Sequence, residues 1–131
     1  MPARILVVED DVSLGENLCE ILGLFGYMPL VVSTAEEALE QLSEAPVDLI
    51  VTDARLPAMS GIDLLARVRA EGHPTPAVLL SDWRADDPGD LARSDLECVA
   101  RPLDIIGLLG SIARLLGGGC RGDTPPPFTG W

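Results

Sequence analysis

Lysine is missing from this 131-residue chain, so its nine cationic side chains are all arginines, set against 21 acidic ones for a net charge of −12. Phosphate backbones and anionic lipid surfaces repel such a chain unless its basic residues gather into a patch, and the sequence shows none. Neither nucleic acid nor membrane is therefore an expected partner. Cysteine is scarce too. Cys19, Cys98 and Cys120 are odd in number, widely spaced and without nearby histidines, which argues against a disulfide framework or a zinc site and fits a reducing cytosol. No apolar stretch is long enough to cross a bilayer, and Met1-Pro2-Ala3-Arg4 runs straight into the first apolar run, so a soluble, unsecreted, cytoplasmic protein is expected. No Gly-x-Gly-x-x-Gly or Walker A pattern occurs, which leaves nucleotide binding without support.

What is present is 47% hydrophobic content, enough for one domain that buries roughly two thirds of its unfolded surface. Short apolar runs alternate with amphipathic stretches, the pattern of repeated βα units around a parallel sheet. Strands are expected at Arg4 to Val8, Met28 to Val32, Leu49 to Thr52, Ala77 to Ser81 and Cys98 to Ala100. A first helix, about Ser13 to Phe25, carries Leu14, Leu18, Ile21, Leu22 and Phe25 at spacings of three and four, and Gly26 stops it. Ser33 or Thr34 caps a second helix, with Glu36 and Glu37 in its first turn and an inner face of Ala35, Ala38, Leu39 and Leu42. A third, Ile62 to Glu71, buries Leu64 or Leu65 with Val68 before Gly72-His73-Pro74 ends it. A last helix starts near an Asp104 cap and runs to Leu116. Residues 82–97 are mostly polar, with Pro88-Gly89 in the middle, and support only a short helix around Asp90 to Arg93. Residues 1–116 thus read as one domain and 117–131 as a disordered glycine- and proline-rich tail. Such units form a doubly wound, five-stranded parallel α/β sheet of order 2-1-3-4-5, the flavodoxin-like arrangement.

In doubly wound sheets ligands sit at the carboxyl ends of the strands. Glu9 and Asp10 close the first apolar run, Asp53 closes the third, and Ser81 and Arg101 fall at the ends of the fourth and fifth. Five polar groups from four strands meet at one edge. Crowded carboxylates repel unless a cation or a basic side chain neutralises them, and a hard divalent ion with oxygen ligands is the usual solution.

These residues, Ile5-Leu6-Val7-Val8-Glu9-Asp10-Asp11, then Asp48-Leu49-Ile50-Val51-Thr52-Asp53 with Leu56-Pro57-Ala58-Met59-Ser60-Gly61, then a hydroxyl residue ending strand four and a basic residue before proline after strand five, resemble the receiver domain of bacterial two-component response regulators. The resemblance spans residues 4 to about 116. It implies that Asp53 takes a phosphoryl group from a sensor histidine kinase or phosphotransfer protein. It also implies that Mg²⁺ is held by Asp10 and Asp53 directly, by Glu9 through water and by the backbone carbonyl of Arg55. Ser81 would bond a phosphoryl oxygen and Arg101 would neutralise or grip the phosphoryl group. Pro57 and Gly61 would shape the loop after Asp53, and the Pro102 bond would be cis by analogy.

Three positions depart from that family's pattern. Arg101 stands where a lysine is usual, replacing a compact ammonium with a planar fork. Cys98 occupies the aromatic switch position, and Asp82 the small position after the hydroxyl residue, in an interval to Arg101 two residues shorter than usual. The expected protein is a stand-alone phosphoacceptor, not an enzyme acting on a separate substrate, that signals through protein contacts to an unknown downstream partner. The rival reading is a pseudo-receiver, a binding scaffold independent of phosphorylation. A haloacid-dehalogenase-type hydrolase wants an acid two residues after the nucleophile, where Arg55 stands. His73 reads as a loop residue, Trp83 as an exposed or locally packed ring, Asp86-Asp87-Asp90 as a solvated turn, and Arg121-Gly122-Asp123 as a chance match to an adhesion tripeptide.

Overall fold

A computed structural model of the chain describes residues 3–56, 58–72, 75–81, 96–100 and 105–116. Its strands are Arg4–Val8 (β1), Met28–Val32 (β2), Leu49–Asp53 (β3), Ala77–Ser81 (β4) and Leu96–Ala100 (β5), all parallel, ordered β2-β1-β3-β4-β5. Its helices are Val12–Leu24 (α1), Ala35–Glu44 (α2), Gly61–Ala70 (α3) and Ile105–Leu116 (α4).

Uninterrupted apolar runs become buried strands because both faces of a parallel sheet are covered by helices. Leu6, Val8, Ile50 and Leu79 pack under α2 and α3 against Ala38, Leu42, Leu64, Leu65 and Val68. The alternate residues Ile5, Val7, Val51, Val78 and Leu80 pack under α1 and α4 against Leu18, Leu22, Leu108, Leu109 and Ile112. Leu64 and Leu65 are both buried, so α3 contributes a wider apolar stripe than a single leucine would.

Capping decides the helix ends. Asp11 caps α1 by accepting from the Leu14 N–H at 3.2 Å, starting the helix one residue earlier than periodicity predicts. At the other end Gly26 takes φ +89°, the left-handed position after the Phe25 C-cap. Of the two candidate caps of α2, Thr34 is the N-cap and accepts from the Glu37 N–H, while Glu37 reaches back to the N–H and hydroxyl of Ser33. Ser60 caps α3 through the Asp63 N–H. β5 begins at Leu96, two residues before the strand expected from polarity, because pairing from Ala77 opposite Leu96 to Ser81 opposite Ala100 carries it through the charged Glu97. The expected short helix near Asp90 to Arg93, the Asp104 cap and the tail from residue 117 lie outside the described residues.

β2 is an outer strand, with Met28 and Leu30 exposed and Pro29 opposite Ile5 of β1. Among the described residues no helix is long and apolar enough to cross a membrane.

Two outcomes are expected. Leu6, fully buried in the middle of β1, becomes a cavity in Leu6→Ala, lowering the unfolding free energy in urea by about 2–5 kcal/mol. Glu37 titrates below its ordinary 4.5, held down first by the Ser33 N–H and then by the Ser33 hydroxyl. Its capping contribution is therefore complete above that ordinary value and is lost as pH falls through the lowered one. Carboxyl NMR titration should show this, with Ser33→Ala moving Glu37 part of the way back.

Candidate functional site

Sheet register brings the expected acids together. β1 and β3 pair from Ile5 opposite Leu49 to Val8 opposite Thr52, so their carboxyl ends lie side by side. Side chains alternate along a strand, which sends Asp53 to the α1 side with Val51 and puts Glu9 on the side of Val7. Glu9 stays tied to the sheet beyond the end of β1, its N–H donating to the Val32 carbonyl at 3.0 Å. The result is a cluster in which carboxylate oxygens of Glu9, Asp10 and Asp53 all lie within 4.8 Å of one another. Glu9 and Asp53 are buried, at 2% and 7% exposure, whereas Asp10 is open to solvent.

Backbone donors fix two of these carboxylates. The Asp11 N–H donates to Glu9 Oε2 at 3.2 Å and the Arg55 N–H to Asp53 Oδ1 at 3.1 Å. The consecutive acids thus divide their work, Asp10 joining the cluster and Asp11 capping α1. Ionised carboxylates at such separations repel by on the order of 3 to 4 kcal/mol per pair at an effective dielectric near 20. An all-oxygen donor set with one open side fits a small hard cation, which keeps several waters and uses one or two carboxylates.

After Asp53 the chain makes a closed loop back to α3. The Ala54 N–H donates to the Leu80 carbonyl at 2.9 Å and the Gly61 N–H to the Ala54 carbonyl at 2.8 Å. A Cβ on Gly61 would stand 2.0 Å from the Asp53 carbonyl oxygen. Glycine is needed at 61 for close backbone approach, since its φ is not among the left-handed ones. Ala58, by contrast, sits left-handed at φ 68°, at a cost of about 1–2 kcal/mol for a residue with a Cβ.

Sequence reasoning passed over Thr52. It is fully buried, and its hydroxyl donates to the Asp53 carbonyl at 3.0 Å. The available signal was a lone hydroxyl in the otherwise apolar run Leu49 to Val51. The backbone of Ser81 closes β4 opposite Ala100, beside the Asp53–Leu80 pair, and that of Cys98 pairs with Leu79. Arg101, Pro102, Pro57, His73, Asp82 and Trp83 lie outside the described residues.

Residues 5–94 match the response regulator receiver domain. The chain belongs to that family. Over 116 residues it is 36% identical to the two-component response regulator PhoP of Pseudomonas aeruginosa, covering 86% of this chain but 51% of that protein. The chain therefore spans about half the length of that relative. The signal receiver domain of a signal transduction histidine kinase from Syntrophus aciditrophicus is 31% identical, with a TM-score of 0.77 covering 94% of this chain and 96% of that one. The Francisella response regulator 1452 receiver domain superposes with a TM-score of 0.80 over 89% of this chain and 98% of that one; at 22% identity that likeness concerns the fold alone. The flavodoxin-like fold expected from the alternation of strands and helices, and the receiver fold implied by the resemblance, are thus the fold this chain adopts.

Because the Gly61 position is filled by backbone, Gly61→Ala must displace either the Asp53 carbonyl or the start of α3. The variant should lose about 1–3 kcal/mol of unfolding free energy, measured by urea denaturation.

Proposed function

We propose that this receiver domain is a phosphoacceptor of a two-component system, with Asp53 as the nucleophile. The observation that carries the reading is the meeting of Glu9, Asp10 and Asp53 within 4.8 Å, at the strand ends of a chain that belongs to the receiver family. In the proposed step a carboxylate oxygen of Asp53 attacks the phosphorus of a phosphohistidine on a sensor kinase or phosphotransfer protein. The phosphorus–nitrogen bond breaks, an acyl phosphate forms, and the imidazole leaves. Asp53 suits the role because the Arg55 N–H holds its Oδ1 and orients the other oxygen's approach.

Mg²⁺ is the proposed cofactor, held by Asp10, Asp53, the Arg55 backbone carbonyl and, through water, Glu9. When bound it screens the charge of nucleophile and phosphoryl oxygens. Ser81 is proposed to donate to a phosphoryl oxygen and Arg101 to neutralise the product. Phosphorylation then shifts a conformational equilibrium that a downstream protein reads in the cytoplasm. The chain's acidity supports protein, and not nucleic acid, as its own partner. The pseudo-receiver reading draws on Arg101 in the usual lysine position and on Cys98 at the switch.

Incubation with acetyl phosphate and Mg²⁺, followed by intact mass measurement, should show one added phosphoryl group that chelation and Asp53→Asn both abolish. Glu9→Gln should raise the Mg²⁺ concentration for half-maximal labelling by about 10-fold. Labelling that survives Asp53→Asn would overturn Asp53 as the acceptor, and no labelling of the native chain together with partner binding that survives Asp53→Ala would favour the scaffold.

A further inference from the structure

Thr52 faces away from the carboxylate cluster, on the side of the sheet where α3 begins, yet it touches the backbone of Asp53 directly. Its hydroxyl is fully buried and donates to the Asp53 carbonyl at 3.0 Å. The same hydroxyl oxygen lies 3.0 Å from where a Gly61 Cβ would be, so α3's first residue packs against both the hydroxyl and the carbonyl it serves. That carbonyl's position is set by one torsion, rotation about the Cα–C bond of Asp53. The same rotation turns the Ala54 N–H that donates to the Leu80 carbonyl at 2.9 Å, and it carries along the next peptide, whose Arg55 N–H donates to Asp53 Oδ1 at 3.1 Å. If the carbonyl swings, the following peptide, which carries the amide on the carboxylate, is displaced with it.

We propose that Thr52 is a positioning residue for phosphoryl transfer, its hydroxyl locking the Asp53–Ala54 peptide in the orientation that lets the Arg55 amide aim the Asp53 carboxylate. This rests on the reading of Asp53 as phosphoacceptor. Without the hydroxyl the peptide is restrained on the β4 side and by α3 but not from its own strand, and the carboxylate samples unproductive directions. Misplacement of a reacting group by a fraction of an ångström lowers rate without weakening donor binding.

The test compares Thr52→Val, which removes the hydroxyl, with Thr52→Ser, which keeps it, in Mg²⁺-dependent labelling by acetyl phosphate well below either variant's unfolding temperature. Thr52→Val should lower the maximal labelling rate by about tenfold, with the half-saturating donor concentration unchanged within about twofold. Thr52→Ser should restore the native rate even if it is less stable. Native rates in Thr52→Val, or equal loss in both variants, would overturn the proposal while leaving Asp53 as the acceptor. A native chain that takes no phosphoryl group would instead overturn the reading of Asp53, and the role of Thr52 with it.

Discussion

Parallel register holds three carboxylates within 4.8 Å of one another against their mutual repulsion, and the rest of the site is arranged around that constraint. No local interaction would place Asp53 beside Glu9 and Asp10, which are more than forty residues away in sequence. The ladder between β1 and β3, clamped by an apolar layer on each face, supplies the force. Packing contributed by the two cores therefore underwrites an electrostatically unfavourable arrangement at the sheet's edge, where a cation has most to gain by binding.

Much of this was legible in the residues. Apolar runs of four or five with acids at their ends marked strands that finish at one edge, and leucines at spacings of three and four marked the helices that cover them. What escaped were features set by three-dimensional neighbours. β5 extends through Glu97 because β4 offers it partners, which no local polarity reveals. Gly61 looks like a turn residue in sequence, but it is required by the backbone of Asp53 lying against it. Thr52 reads as one more strand residue until its hydroxyl is seen on the carbonyl of its neighbour.

The loop from Ala54 to Gly61 links chemistry to framework. Its first carbonyl accepts from the residue that starts α3, its second amide reaches the Asp53 carboxylate, and Ala58 in its middle is held in a conformation alanine avoids. Such strain persists only where the surroundings over-determine the backbone. The segment is thus tied at both ends, to the Asp53 carboxylate at one and to the start of α3 at the other.

Pro29 has a separate consequence. Met28 donates its amide inward to the Ala3 carbonyl, so along β2 the amides of even-numbered residues face β1 and those of Pro29 and Val31 face the open border. Proline has no amide hydrogen to offer there. An incoming chain seeking to extend the sheet alongside the exposed Met28 and Leu30 meets a gap in the row of donors, which blunts this margin as a template for aggregation.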